Sequence, residues 1–100
     1  MTRSELMSAS ETYIREQLRR YLPPGTAVYL FGSRARKAAR WNSDYDLWLD
    51  ADIADSVVTA LLEDLEESFV PFKIDIVTTP RLRGGFEAKV RSEAIPWMCD

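Results

Sequence analysis

The segment from residue 44 to 50, Asp-Tyr-Asp-Leu-Trp-Leu-Asp, alternates without a break. In an extended chain Tyr45, Leu47 and Leu49 fall on one side and Asp44, Asp46, Trp48 and Asp50 on the other. A helix would scatter both sets around its circumference, so the pattern predicts a strand with one buried face. Such a strand needs neighbours to pair with and a layer of structure over its apolar side.

The neighbours are legible on either side. Residues 26–31, "TAVYLF", and 72–79, "FKIDIVTT", are short, apolar and rich in strand formers, with Ile74 and Ile76 on one face of the second and Asp75 on the other. The covering layer comes from two amphipathic stretches. Over 4–22, Leu6, Tyr13, Ile14, Leu18, Tyr21 and Leu22 recur at helical spacing until Pro23-Pro24-Gly25 stops the run. Over 53–69, Ile53, Val57, Leu61, Leu62, Leu65 and Phe69 do the same against an acidic face.

Two further helices are expected. Ser33 is placed to cap a short one through 34–40, and a last one, delayed by Gly84-Gly85, carries Phe86 and Val90, with Thr79-Pro80 reading as a helix start. The predicted order is helix, strand, helix, strand, helix, strand, helix. This is an α/β fold in which helices flank a small, mixed β-sheet. Ile95, Trp97 and Met98 then either return to the core or meet another chain, and Trp41, Trp97 and Ile95 are candidate contact residues.

At 100 residues the chain has room for one domain, spanning 1–100, and no accessory lobe. A net charge of −3 argues against a general nucleic-acid binder, which draws its affinity from many cations. No histidine is present and Cys99 is the single cysteine, so neither zinc nor an internal disulfide is expected. The amino terminus lacks a signal-peptide core and no apolar run approaches the roughly 20 residues of a membrane span, which points to the cytoplasm.

The chemistry is concentrated around the alternating strand. Same-face positions on a strand lie roughly 7 Å apart and adjacent strands about 4.8 Å apart, so Asp44, Asp46 and Asp75 can meet at one point. Carboxylates gathered without histidine or cysteine need cations between them, and hard oxygen donors suit Mg²⁺ or Mn²⁺. Two such ions can activate an attacking oxygen and stabilise a leaving one in phosphoryl transfer. Ahead of the strand, Gly32 permits close backbone approach and Ser33 offers donors to phosphate oxygens, while Arg34, Arg36, Lys37 and Arg40 add positive charge. Singly, each feature has an ordinary explanation: a solvated Asp-x-Asp, a plain Gly-Ser turn, an exposed arginine face, a surface charge at Asp75. Together, bracketed by apolar strands, they argue for a site.

Gly32-Ser33, ten intervening residues, Asp44-Tyr45-Asp46 and the later Asp75 resemble the signature of the DNA polymerase beta-like nucleotidyltransferase superfamily, and the short chain resembles its minimal nucleotidyltransferase (MNT) branch. The resemblance runs from the first strand to the last helix. It implies transfer of a nucleoside monophosphate, most simply AMP from ATP, to a hydroxyl with release of pyrophosphate. Asp44, Asp46 and Asp75 would be metal ligands and catalytic groups, Asp75 helping to activate the acceptor, with Gly32 and Ser33 holding the triphosphate and Arg34 and Arg36 beside it. It also implies a small helical HEPN-type partner in a toxin–antitoxin pair. The competing expectations are a binding module that inhibits its partner by contact alone and, more remotely, an aminoglycoside adenylyltransferase. One position departs from the minimal pattern Gly-Ser-x-Ala-Arg-Gly: Lys37 stands where the final glycine is usual. A positive φ there would strain lysine by about 1 kcal/mol or more, whereas a helical φ would cost little.

Overall fold

The computed structural model describes residues 1–98; Cys99 lies outside the described residues. Helix α1 spans Arg3–Tyr21. Its start is fixed by a capping box, in which the Thr2 amide donates to Glu5 Oε1 and the Glu5 amide donates to Thr2 Oγ1, both at 3.1 Å. Strand β1 is Val28–Phe31, β2 is Tyr45–Leu49, α2 is Asp55–Glu67 and β3 is Ile74–Thr78. A 3₁₀ turn at Thr79–Arg81 leads to α3, Gly84–Glu93, and β4, Ile95–Met98.

The strands form one mixed sheet in the order β3-β2-β1-β4, with β2 parallel to β3 and β1 antiparallel to both β2 and β4. As the alternation requires, Tyr45, Leu47 and Leu49 are all fully buried. They pack with Val28, Leu30 and Ile74 beneath Ile14 and Leu18 of α1 and Leu61 and Leu65 of α2. The two helices are also tied by Asp64, which accepts from the hydroxyls of Tyr13 (2.7 Å) and Tyr21 (3.1 Å).

The opposite face carries a smaller cluster, Phe31, Trp48, Leu82 and Val90, under α3. Trp48 therefore belongs to a second core rather than to solvent, and its indole N–H donates to Thr79 Oγ1 at 2.9 Å.

The α/β class and the mixed sheet agree with the sequence, but the element order departs from it twice. No helix forms over 34–40. The last segment is a fourth strand: Ile95 and Met98 pair with Leu30 and Val28 of β1, while Trp97 packs on the core under the Arg15 guanidinium, 4.0 Å from its ring centre. Smaller corrections concern ends. Ile53 is buried but precedes α2, and Phe69 lies past its end, 54% exposed, with its ring edge-on to Tyr13. Trp41 sits partly buried against Phe72, with the Arg3 guanidinium over its ring, 4.6 Å from the centre.

Candidate functional site

β1 ends against the start of β2, with Phe31 opposite Asp46 in the antiparallel register. On the other side of β2, Asp46 is the register partner of Asp75 across the parallel pair. Register partners project from the same face of a sheet, so the two carboxylates share the α3 side. Asp44 is exposed just before β2.

Burial raises the pKa of Asp46 above the usual carboxylate range, and repulsion from Asp75 and then Asp44 adds to it; Lys73 and Lys89 oppose the shift. Asp46 thus feels the charges of both other sequence-predicted aspartates. Among the described residues, no three acidic, histidine or cysteine side chains are drawn close enough to form a ready-made metal cage. Asp75 instead has Lys73 Nζ 3.8 Å away, an exposed contact of little strength.

Gly32 is required here twice over. Its φ is +75°, and a Cβ at this position would run into the Asp46 carboxylate. The chain then makes a single helical turn. The Arg36 amide donates to the Gly32 carbonyl (3.1 Å), Lys37 to Arg34 (3.3 Å) and Ala38 to Ser33 (3.0 Å). The last two bonds, with Lys37 at φ 59°, make the left-handed closure that normally ends helices at glycine. This is why the predicted helix over 34–40 stops after one turn, and Ser33 contributes its carbonyl to the closure. It also shows which φ the departure at Lys37 must adopt: the left-handed one.

The arginines separate. Arg34 is turned to the core side, its guanidinium 3.9 Å from the Tyr45 ring centre and donating to the carbonyls of Trp41 (2.9 Å) and Ser43 (2.7 Å). It pins the loop between β1 and β2 from the Tyr45 side of the sheet, the face away from Asp46. Arg36 remains on the site side, where Nη1 donates to Glu93 Oε2 at 2.7 Å. The other oxygen of Glu93 accepts from the Gly32 amide at 3.2 Å. Although burial works against it, the bonds from Arg36 and Gly32 hold the Glu93 carboxyl below its usual pKa.

Glu93 and Lys89 were missed in the sequence. Both lie on α3, one turn apart, and only the fold carries Glu93 back to Gly32, 61 residues earlier. No local spacing signals such a contact. A cleft of about 510 Å³ between α2 and the start of β3, lined by Leu62, Leu65, Val70 and Phe72, is largely apolar and separate from the aspartates.

The glycine after β1 thus packs on the Asp46 carboxylate, and Asp75 stands in register with Asp46 on the next strand of a small mixed sheet. The family model described as "Polymerase beta, Nucleotidyltransferase" matches residues 14–99, and the chain belongs to that family. No curated protein sequence matches it.

Among solved structures, it is similar to a chain of a toxin–antitoxin complex with AMP-PNP, at TM-score 0.72 and 23% identity over 90% of this chain and 73% of that one. It is similar to a chain in the complex of a tri-AMPylated Shewanella oneidensis HEPN toxin with an MNT antitoxin, at TM-score 0.67 and 20% identity over 94% and 73%. A structure described as that of a minimal nucleotidyltransferase aligns at TM-score 0.67 and 29% identity over 96% of both chains.

Proposed function

We propose that this chain, as one minimal domain, is a metal-dependent nucleotidyltransferase that moves AMP from ATP to a hydroxyl on a HEPN-type partner protein and so acts as its antitoxin. The observation that carries the reading is the alignment of Asp46 with Asp75 beside a glycine packed on Asp46. Family membership and the likeness to MNT–HEPN complexes support it.

The donor set fits a divalent cation: all-oxygen ligands, mutually repelling, with the pKa of Asp46 pushed up by burial and by its two acidic neighbours. Asp44, Asp46 and Asp75 would hold Mg²⁺ or Mn²⁺, and the bound ions would supply charge neutralisation for the phosphates. Ser33, at the end of the glycine turn, offers its hydroxyl to the triphosphate, and Arg36 lies beside it. The acceptor hydroxyl gives its proton to the Asp75 carboxylate as its oxygen bonds to the α-phosphorus. The bond from the α-phosphorus to the α,β-bridging oxygen breaks, that oxygen departs with the β- and γ-phosphoryl groups as pyrophosphate, and AMP stays on the acceptor.

The site is open to solvent at Asp44 and Asp75. Electrostatic catalysis gains from excluding water, so a partner that covers these residues would both receive the nucleotide and complete the site. No helix among the described residues is long and apolar enough to cross a membrane, in keeping with action in the cytoplasm.

A second reading, inhibition of the partner by contact alone, is favoured by one observation: Glu93 already occupies the Gly32 amide and Arg36. Incubation with ATP labelled at the α-phosphate, Mg²⁺ and the HEPN-type protein from the same genome separates the two. Label on the partner that disappears with Asp44→Ala supports transfer; full neutralisation by that variant with no label supports contact.

A further inference from the structure

The groups described so far address phosphates and cations, and none of them reads a base. Helix α3 does more than cover the second core. Phe86, Lys89 and Glu93 follow at helical spacing along one of its faces. Glu93 anchors that face to the Gly32 amide. Lys89 lies between them on the same helix face, and its charge works to lower the pKa of both Asp46 and Glu93. Phe86 meets Phe31, the strand neighbour of Asp46, with ring centres 6.2 Å apart at 77°.

That contact orients the Phe86 ring but leaves the residue 48% exposed. Beside it the backbone of Gly84 and Gly85 is bare, and a Cβ at either would meet nothing within 4 Å. The flanking side chains of Arg83 and Lys89 are exposed cations. An apolar protein surface would not normally surround one aromatic ring with cations and open backbone, whereas a flat aromatic head joined to a polyanion matches all three features.

Resting on the nucleotide reading above, we propose that Phe86 is the stacking platform for the nucleobase and that Lys89 pairs with the phosphates, so that α3 makes the site select a nucleoside triphosphate over bare polyphosphate. Stacking on a ring face is tolerant of base identity, so this platform supplies affinity for any purine rather than a choice between them.

The test is calorimetric titration of the full chain with ATP and, separately, with inorganic tripolyphosphate, both with Mg²⁺. Phe86→Ala is expected to weaken ATP binding about tenfold to a hundredfold and leave tripolyphosphate unchanged, while Phe86→Trp keeps both. Lys89→Ala is expected to weaken both ligands. Unchanged ATP affinity in Phe86→Ala, or equal loss of the two ligands, overturns the proposal and leaves the phosphate site standing. Failure of the wild-type chain to bind either ligand overturns the nucleotide reading itself. Should the alanine variant not fold, Phe86→Leu keeps the bulk without the ring and decides the same question.

Discussion

Asp46 and Asp75 are register partners on parallel strands, and their carboxylates repel each other from the same face of the sheet. The fold bears this cost beside Gly32, at the site proposed above for the metal ions. A raised carboxylate pKa means that stability falls as pH rises from the ordinary value through the shifted one, because the ionised form is disfavoured by the fold. Asp46→Asn removes the ionisation and is expected to raise the Tm of the metal-free chain by a few degrees while abolishing nucleotidyl transfer. Thermal melts at pH 7 beside a transfer assay check both halves.

Gly32 and Asp46 make a second, steric prediction. Gly32→Ala adds a Cβ in left-handed backbone, which costs about 1–2 kcal/mol, and a clash with the Asp46 carboxylate besides, so a total loss of roughly 2–4 kcal/mol is expected. In an Asp46→Ala background the clash is relieved and the backbone cost alone should remain. A double-mutant cycle by urea denaturation is expected to show coupling of at least about 0.5 kcal/mol.

Lys37 closes the loop with φ 59° and has an exposed side chain. Glycine adopts that conformation freely, so Lys37→Gly is expected to stabilise the chain by about 1 kcal/mol. The Tm should rise by several degrees without loss of nucleotide binding.

Glu93 is held below its ordinary pKa by Arg36 and Gly32 against the opposing effect of burial. The stability it contributes is therefore complete above the ordinary carboxylate value and disappears as pH falls through the lower, folded-state value. Between about pH 5 and pH 3 the wild type should lose more Tm than Glu93→Gln, and the two curves should converge at the acid end.

Most of this fold was legible because its signals are local. The alternation through Tyr45, Leu47 and Leu49 requires a buried strand face, and the spacing of Ile14 with Leu18 and of Leu61 with Leu65 requires helices over it. The fourth strand was not legible: Ile95 to Met98 contains a proline and no alternation, and it becomes a strand because β1 leaves an unpaired edge. The helix expected after Ser33 failed because Lys37 turns left-handed; "RARKAAR" carries no glycine to mark the turn, and only the resemblance, with glycine usual at that position, hints at it. Within the site, Gly32, Asp44, Asp46 and Asp75 stand out by type and spacing. Arg34 and Arg36 look alike in sequence, yet one faces the Tyr45 ring and the other Glu93, a division set by which side of β2 each loop residue meets.

The central claim is that Asp44, Asp46 and Asp75 together retain divalent cations, and Mn²⁺ binding followed by electron paramagnetic resonance tests it most directly. In the presence of a non-hydrolysable ATP analogue, the wild-type chain is expected to retain about two Mn²⁺ ions, as a two-ion site requires. The variant with all three aspartates changed to asparagine should retain fewer. Equal Mn²⁺ retention by the two proteins would contradict the account.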